Sequence, residues 1–354
     1  MYTLLTVKLL LQNNIDTELY CLKNSRLNIE ANKEGIKTIT AESSGYFKPG
    51  EIFRLKKEID SNNYDIIHSG ASQDLWIIVP ALKLAQKKTP LLFTKHIGSF
   101  IIKKDILHRW IYNRVTYALA ISKVIQKNLV DTCPLPPQKV KLLHNGIDSN
   151  KFDPAKGQRD KIRNELSVAQ SELLIGMTAR FSPGKGHEEF LYAAKILSEK
   201  YDNLKFMIVG EPSKNEDSYA DEIKKLTSDY KLSNVIFTGY RKDMPDILSA
   251  LDIFVFPSHS EAFGLALVEA MAMEAPSVCT SSDGVLDIAV DGETSLLFKK
   301  QDREDLTGKL EILIREPDKR NAFGKAARKR VLENFDIKIF LANLRALYNE
   351  VVHH

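Results

Sequence analysis

Short apolar runs alternate with helical patterns along almost all of this 354-residue chain. Six runs in the first half have strand length: TELYCL, GIKTIT, YDIIHS, PLLFTKH, YALAIS and KVKLLHNG. Five more follow in the second half: LLIGMTAR, LKFMIVGE, NVIFTGY, DIFVFPS and PSVCT. Runs without polar alternation, each followed by a helix such as PGEIFRLKKEIDSN, are typical of parallel strands buried on both faces. The pattern predicts an α/β fold built from doubly wound parallel sheets.

The chain is longer than one hydrophobic core usually serves, which favours two domains. Gly, Asn, Asp and Pro cluster in HNGIDSNKFDPAKGQRD, residues 144–160, between a strand pattern and the next helix. We predict an N-terminal Rossmann-like domain over residues 1–150 and a C-terminal one over 151–333. Apolar residues at helical spacing predict amphipathic helices near the end, the last of them over 334–354.

The composition is that of an ordinary globular protein, with 44% hydrophobic and 27% charged residues. No run of about 18 apolar residues is present to span a bilayer, and MYTLLTVKLLLQNN lacks the features of a secretory signal. The three cysteines, Cys21, Cys133 and Cys279, are far apart and are interpreted as reduced thiols. These features predict a cytoplasmic protein.

Charge is divided unevenly between the halves. Lys plus Arg minus Asp plus Glu is 21 − 13 = +8 for residues 1–150 and 29 − 33 = −4 for residues 151–354. Residues 99–120 interleave Lys103, Lys104 and Arg109 with aromatic and aliphatic side chains, and we interpret them as a basic helix. Such a helix suits an anionic membrane at the inner face of the cell or an anionic acceptor, whereas a solvated helix with one core face is the alternative. We predict no nucleic-acid partner.

Ligands of open parallel sheets bind beyond the carboxyl ends of the strands. Arg180 and Lys185 follow the run LLIGMT, on a turn with Gly184 and Gly186 before a helix. Two cations beside a helix N-terminus suit a diphosphate, and a solvated loop is the alternative. Neither G-x-x-x-x-G-K-[ST] nor G-x-G-x-x-G is present, which disfavours a Walker loop and NAD-dependent chemistry.

The stretch HSEAFGLALVEAMA, residues 259–272, carries Glu261 in a predicted loop and Glu269 in a predicted helix that begins near Gly264. A carboxylate accepts two hydrogen bonds, so each acid could hold the paired hydroxyls of one sugar. The backbone N–H groups of Phe263, Gly264 and Leu265 could meet phosphates at the helix start. The alternative is an N-terminal capping acid at 261 and an exposed helix residue at 269.

Together these residues resemble the retaining glycosyltransferases of family 4, which have the GT-B fold. The resemblance rests on E-x7-E from Glu261 to Glu269, R-F-x-x-x-K-G from Arg180 to Gly186, and N-G-I-D-x-x-x-F-x-P from Asn145 to Pro154. It implies two Rossmann-like domains facing a cleft that binds a nucleotide-diphosphate sugar. It also implies that the last helix crosses back to the N-terminal domain.

By this likeness Arg180 and Lys185 hold the pyrophosphate, Glu269 the ribose hydroxyls and Glu261 the hydroxyls of the transferred hexose. The likeness also implies donor contacts from the backbone of Phe263, Gly264 and Leu265, and a frame for the base made by Gly210, Gly239, Tyr240 and Arg241. His96, after the run LLFTK, would lie near the transferred sugar, so that His96, Arg180, Lys185 and Glu261 form the catalytic set. A structural hydrogen bond is the alternative for His96, and Ser122 resembles a further cleft-facing position.

No D-x-D occurs, so we expect Arg180 and Lys185 to supply the positive charge, with no metal and no cofactor. The family implies retention, which we interpret as front-face displacement onto a hydroxyl of a glycan or lipid-linked acceptor in cell-envelope polysaccharide or lipopolysaccharide synthesis. A sugar-nucleotide epimerase and a non-catalytic nucleotide-sugar-binding descendant are the rival functions.

Two features depart from the family pattern. MYTLLTVKLLLQNN already has helical spacing, so the family's first strand and Gly-rich turn have no counterpart in this sequence. Leu286 and Asp287 stand where the family commonly has Pro-Glu. We expect the fold to tolerate the second departure and donor contacts there to differ.

Overall fold

The computed structural model describes residues 2–213 and 216–352 and divides into two compact units. Unit 1 comprises Met1–His144 and Phe340–His354, and unit 2 comprises Asn145–Ile339. The sequence-based division placed these bounds at 150/151 and 333/334.

Unit 1 alternates helices and parallel strands. Its first six helices are α1 Tyr2–Gln12, α2 Arg26–Lys33, α3 Pro49–Ser61, α4 Leu75–Leu84, α5 Ile106–Tyr112 and α6 Lys123–Thr132. Its strands are β1 Leu19–Leu22, β2 Thr38–Ala41, β3 Ile67–Ser69, β4 Leu91–Lys95, β5 Tyr117–Ala120 and β6 Val140–Leu142. They form a two-stranded sheet, β1-β2, and a four-stranded sheet in the order β3-β4-β5-β6. Every pairing is parallel.

Unit 2 is built on one six-stranded parallel sheet. Its strands are β7 Leu173–Thr178, β8 Leu204–Val209, β9 Val235–Gly239, β10 Ile253–Phe256, β11 Ser277–Thr280 and β12 Ser295–Phe298. Its helices are α7 Arg159–Glu165, α8 His187–Ser198, α9 Asp217–Asp229, α10 Met244–Ala250, α11 Leu265–Ala272, α12 Val285–Ile288, α13 Arg303–Arg315 and α14 Pro317–Asn334. The strand order is β12-β11-β10-β7-β8-β9. The predicted α/β fold with two Rossmann-like domains is thereby confirmed.

The centre of the unit 2 sheet is buried on both faces, as its unalternating apolar runs predict. All four residues of β10 are buried, and Phe206 on β8 packs edge-to-face on Phe190 of α8, with ring centroids 5.8 Å apart. Burial of such side chains stabilises the sheet by about 1.5–3 kcal/mol each. The rigid sheet fixes the positions of the loops that follow its strands.

The last helix, α15, spans Ile337–Val352, and its residues from Phe340 onward belong to unit 1. There the Tyr348 hydroxyl is hydrogen-bonded to Nδ1 of His68 at 2.7 Å. The Tyr117 hydroxyl donates to a carboxylate oxygen of Glu350 at 2.5 Å. These bonds tie the end of the chain to strands β3 and β5.

The predicted basic helix over residues 99–120 is wrong in extent. Only α5 is helical there, because the Asp105 carboxylate accepts a hydrogen bond from the His108 N–H at 3.0 Å and so caps the helix immediately before Ile106. Residues 99–105 form a loop, and β5 has begun by Tyr117. The basic and aromatic residues of this region therefore lie on a loop and on a helix of two turns, and not on one long helix.

Among residues 2–213 and 216–352, no helix is both long enough and apolar enough to cross a bilayer. Within the same ranges, no group of three or more His, Cys, Asp and Glu side chains could hold a metal ion. The three cysteines are buried and take part in no disulfide.

Candidate active site

Strands β7 and β10 are neighbours in the sheet although the chain visits β8 and β9 between them. Ile175 on β7 pairs with Ile253 on β10. From this point the chain builds the sheet outward in opposite directions, which makes the β7/β10 boundary a topological switch point. Ligands of open α/β sheets bind beyond the strand ends at such a point. The two segments that follow these strands are residues 179–186 and residues 257–264.

These two segments pack directly on each other. Gly186 has φ +80°, and a Cβ atom there would lie 2.4 Å from the Pro257 carbonyl oxygen, so only glycine fits. The His259 N–H donates to the Gly184 carbonyl oxygen at 2.8 Å. Contact between the two backbones therefore holds the predicted phosphate turn against the loop that carries Glu261.

The Lys185 ammonium donates a hydrogen bond to Oε1 of Glu261 at 2.5 Å, and the two side chains are 22% and 20% exposed. Glu261 is thus paired with a lysine rather than acting as a helix-capping acid. The pair places a cation and a hydrogen-bond acceptor at one point of the switch region. Arg180 is exposed, and its guanidinium donates to the Ser213 hydroxyl at 2.8 Å.

A cavity of about 520 Å³ opens beside this region in unit 2. Five residues predicted from the sequence line it: Arg180, Gly210, Tyr240, Arg241 and Glu269. Its other lining residues are Lys151, Thr178, Ala179, Val209, Glu211, Pro212, Lys242 and Met244. The predicted residues outside this lining set are Lys185, Glu261, Gly239, Phe263, Gly264 and Leu265 in unit 2, and His96 in unit 1.

Glu269 lies on α11, and burial raises the pKa of its carboxyl group to about 7. The positive charge of Lys151 acts in the opposite direction but is the smaller influence. The carboxyl group therefore titrates near neutral pH, and perturbed pKa values of this kind cluster at functional sites. Glu269 is not the exposed helix residue of the alternative interpretation.

The ends of β8 and β9 form another wall of the cavity. Gly210 has φ +147°, and a Cβ atom there would lie 1.9 Å from the Ala179 carbonyl oxygen, so the backbone after β8 reaches the residue before Arg180. Gly239 ends β9, and its carbonyl oxygen accepts from the Gly210 N–H at 3.0 Å. The next residue, Tyr240, is 60% exposed on the cavity wall, where its ring could stack on a flat ligand.

Arg241 lines the cavity, but its guanidinium already binds two carboxylates. It donates to Glu165 and, at 2.9 and 2.6 Å, to both oxygens of Asp243. These hydrogen bonds raise the pKa of the guanidinium further, the bond to Glu165 being the larger cause. Arg241 therefore shapes the wall rather than offering a spare cation.

Helix α11 begins at Leu265, directly after Gly264, as its sequence predicts. Phe263 is buried, with its ring 5.8 Å from that of Phe335, which fixes the approach to the helix. The first N–H groups of a helix lack intrahelical acceptors and carry its positive dipole end. The start of α11 can therefore receive an anionic or hydroxyl oxygen.

In unit 1, His96 directly follows β4, and its ring centroid lies 6.1 Å from that of Tyr2. Burial lowers the pKa of His96 below its ordinary value, which favours the neutral ring. Ser122 caps helix α6 by accepting a hydrogen bond from the Ile125 N–H at 3.4 Å. That bond gives Ser122 a structural role in the helix start.

Two family models match the chain: Glycosyltransferase Family 4 over residues 1–151 and Glycosyl transferases group 1 over residues 158–330. The crystal structure of a glycosyltransferase from Rickettsia africae ESF-5 superposes with a TM-score of 0.90 at 22% identity, covering 99% of this chain and 94% of that one. The chain belongs to the GT-B glycosyltransferases.

Two curated relatives of this GT-B glycosyltransferase are named for capsular polysaccharide biosynthesis and for transfer of galactose to a diphosphoundecaprenol-linked sugar. The capsular polysaccharide biosynthesis glycosyltransferase CapM of Staphylococcus aureus is 29% identical over 242 residues, 66% of this chain and 61% of CapM. The UDP-Gal:alpha-D-GlcNAc-diphosphoundecaprenol alpha-1,3-galactosyltransferase of Escherichia coli is 24% identical over 315 residues, 85% of this chain and 79% of that protein. The match thus spans less than two thirds of CapM and about four fifths of the Escherichia coli enzyme.

Sequence reasoning missed two groups in this GT-B glycosyltransferase. Lys151 lines the cavity together with Glu269. The sequence could have indicated this residue, since it lies inside the N-G-I-D-x-x-x-F segment. The ring Nε2 of His259 is hydrogen-bonded to Oε1 of Glu189 on α8 at 2.7 Å, joining the Glu261 loop to the helix after the phosphate turn. No local pattern marks that pair, because its members are far apart in sequence.

A second cavity of the glycosyltransferase, of about 580 Å³, lies in unit 1 and contains none of the predicted residues. Its cations are engaged with protein groups. Arg114 donates to the carbonyl oxygens of Lys87 and Thr89 at 3.1 and 2.7 Å, and Lys139 to that of Val115 at 2.8 Å. Arg114 and Lys139 are therefore engaged within unit 1.

Proposed function

We propose that the chain transfers a hexose from a UDP-sugar to a hydroxyl of a glycan or lipid-linked acceptor in the synthesis of envelope polysaccharide or lipopolysaccharide. The observation that carries this proposal is the arrangement at the switch point. The Arg180–Lys185 turn after β7 and the Glu261–Glu269 segment after β10 meet beside one cavity. The names of CapM and of the Escherichia coli galactosyltransferase support the acceptor class.

The proposed roles follow from the chemistry of each side chain. Arg180 and Lys185 neutralise the diphosphate as it leaves, which is the charge that develops in the transition state. Glu269 accepts from the ribose hydroxyls, Glu261 from the hexose hydroxyls, and Tyr240 covers the base. The backbone N–H groups of Phe263, Gly264 and Leu265, at the start of α11, face the phosphate.

We propose transfer with retention and without a metal. The C1–phosphate oxygen bond breaks while the bond from C1 to the acceptor oxygen forms on the same face. The acceptor's proton passes to an oxygen of the departing diphosphate, so no protein carboxylate needs to become a nucleophile. His96 would lie beside the sugar and the acceptor. We place this activity in the cytoplasm, at the inner face of the membrane when the acceptor is lipid-linked.

Binding and turnover with a panel of UDP-sugars test the proposal. We expect UDP and one UDP-hexose to raise the melting temperature, because a ligand that binds only the folded state stabilises it. With acceptor, the product should keep the donor's anomeric configuration by NMR and should form in the presence of EDTA. Formation of an epimer without acceptor would instead support the epimerase, and binding without any turnover would support a non-catalytic protein.

A further inference from the structure

Unit 1 exposes a cluster of large apolar side chains on the loop and short helix that follow β4. Seven lie within residues 97–110, which we call the apolar-basic segment: Ile97, Phe100, Ile101, Ile102, Ile106, Leu107 and Trp110. Phe100 is completely exposed, at 105%. Single exposed apolar residues are ordinary, but a contiguous group of this size marks an interaction surface.

The backbone of this loop is held firmly. The Asn128 side chain accepts from the Ser99 N–H at 2.8 Å and donates to the Ser99 carbonyl oxygen at 2.9 Å. The Lys103 N–H donates to the Thr132 carbonyl oxygen at 2.7 Å. The three residues between these anchors, Phe100–Ile102, are therefore presented outward by a loop that α6 fixes at both ends.

Helix α5 is apolar on two faces. Ile111 and Tyr112 are buried in unit 1. Ile106 and Trp110, four residues apart, share the opposite face, where they are 85% and 42% exposed. One face thus serves the core and the other continues the apolar surface of the loop.

The surface extends to the loop before α3 through a chain of aromatic rings. Trp76 lies edge-to-face between Tyr46 and His108, with centroids 5.8 and 5.2 Å away. Tyr46 and Phe47 are 63% and 61% exposed. The apolar area is therefore wider than the helix alone.

Basic residues lie in the same segment. Residues 97–110 contain Lys103, Lys104 and Arg109 and one acid, Asp105, whose carboxylate is hydrogen-bonded to His108. Lys104 and Arg109 are exposed, and the Lys83 ammonium lies over the Trp110 ring at 4.2 Å from its centroid. Exposed apolar residues mixed with cations are typical of a surface that lies in an anionic membrane interface. Self-association would instead bring two basic surfaces together.

We propose that the apolar-basic segment docks on an anionic lipid bilayer, with Phe100–Ile102 among the acyl chains and Lys103, Lys104 and Arg109 at the headgroups. This inference rests on the proposed function, which places a lipid-linked acceptor at the membrane, and it names the surface of unit 1 that meets the lipid. Its test requires no sugar transfer.

Co-flotation of the full chain with vesicles measures the docking. We expect binding to vesicles of phosphatidylglycerol and phosphatidylcholine, and binding at least tenfold weaker to phosphatidylcholine alone. Phe100→Ser with Ile101→Ser, and separately Lys103→Gln with Lys104→Gln, should each weaken anionic binding about tenfold. The matched controls Leu332→Ser and Lys325→Gln alter exposed residues of α14 in unit 2 and should bind as the parent does.

Fluorescence locates the contact. The chain has two tryptophans, so Trp76→Phe leaves Trp110 as the reporter. Brominated lipids in anionic vesicles should quench Trp110 in that variant. This quenching measurement tests the proposal even where a loop variant fails to fold.

Three results would overturn the proposal: no binding to anionic vesicles, equal binding by the loop variants and the controls, or an unquenched Trp110. Formation of dimers that hide the segment, seen by sedimentation equilibrium without lipid, would also overturn it. UDP titration of the same preparations separates the two proposals. Vesicle binding without UDP binding would contradict the proposed transfer alone, and UDP binding without vesicle binding would contradict the docking alone.

Discussion

The carboxyl group of Glu269 lies in surroundings that disfavour its ionised form. Burial raises its pKa to about 7 and outweighs the opposing charge of Lys151. Near neutral pH the carboxyl group is therefore partly protonated. A ribose that donates two hydroxyl hydrogen bonds prefers the ionised form. Sequence reasoning identified this residue from its spacing to Glu261 but could not predict its burial, which depends on α11 packing into unit 2.

Nucleotide affinity should therefore depend on pH. Between pH 6 and 8 the affinity for UDP should rise up to about tenfold, since only the ionised carboxylate accepts both hydroxyls. Glu269→Gln should bind UDP more weakly and lose most of this dependence. Isothermal titration calorimetry across this pH range measures both, and an unchanged slope in the variant would contradict the assignment.

The same group predicts how stability changes with pH. Its folded pKa of about 7 lies above its ordinary value of 4.5, so the folded state holds the proton more tightly. Its contribution to the free energy of unfolding is then fully present below about pH 4.5 and lost as pH rises toward 7. Denaturant unfolding of the parent and Glu269→Gln should show that the variant is stabilised relative to the parent as pH rises through this range.

Lys185 should matter to rate far more than to folding. Lys185→Ala should lower kcat about 10²–10³-fold, because a cation facing the leaving diphosphate is lost. The ion pair with Glu261, whose side chains are 22% and 20% exposed, should contribute only on the order of 1 kcal/mol to stability. Lys161→Ala, an exposed lysine of α7, is the matched control. Normal turnover by a folded Lys185→Ala protein would count against its role.

The strands were predictable as elements because they are short, apolar and buried on both faces. The eleven runs named from the sequence correspond to β1 to β11. The run SLLF was not predicted as a strand, and it forms β12 at the edge of the sheet. The error over residues 99–120 came from reading one apolar pattern across a helix cap, since Asp105 begins the helix and the residues before it stay in a loop.

The contact between α8 and the loop after β10 has a testable consequence. His259→Ala removes the hydrogen bond to Glu189, so the loop that carries Glu261 should be held less firmly. We expect kcat to fall about tenfold with little change in UDP affinity. His259→Gln should recover most of the rate, because its side-chain amide can donate to the same carboxylate. Equal loss in both variants would show that the hydrogen bond is not what matters.

The backbone after β8 lies against Ala179, the residue before Arg180. A substitution at Gly210 tests this packing of the cavity wall. Gly210→Ala places a methyl group 1.9 Å from a carbonyl oxygen at a positive φ, so it should lower the free energy of unfolding by several kcal/mol, about 3 or more. Gly308→Ala in α13, where nothing lies within 4 Å, should instead stabilise by about 0.5–1 kcal/mol. Chemical denaturation compares them, and a harmless Gly210→Ala would contradict the geometry.

For the whole molecule, two α/β units follow from the repeated strand-helix pattern. The strand order does not, because pairing joins strands far apart in sequence: β7 meets β10 and not β9. That order brings the Arg180 turn beside the Glu261 loop. The resemblance to the family predicted the same grouping of residues, whereas the strand and helix pattern alone placed them only at one edge of the sheet. The division of unit 1 into two sheets was likewise not readable from its strand patterns.

The segments after β7 and β10 are proposed to hold one diphospho-sugar. A crystal structure of the chain grown with UDP-hexose tests this arrangement. We expect the diphosphate within hydrogen-bond distance of Arg180 and Lys185, the ribose on Glu269 and the hexose on Glu261. A nucleotide bound elsewhere, with Lys185 still closed on Glu261 and the cavity beside Glu269 empty, would contradict the claim.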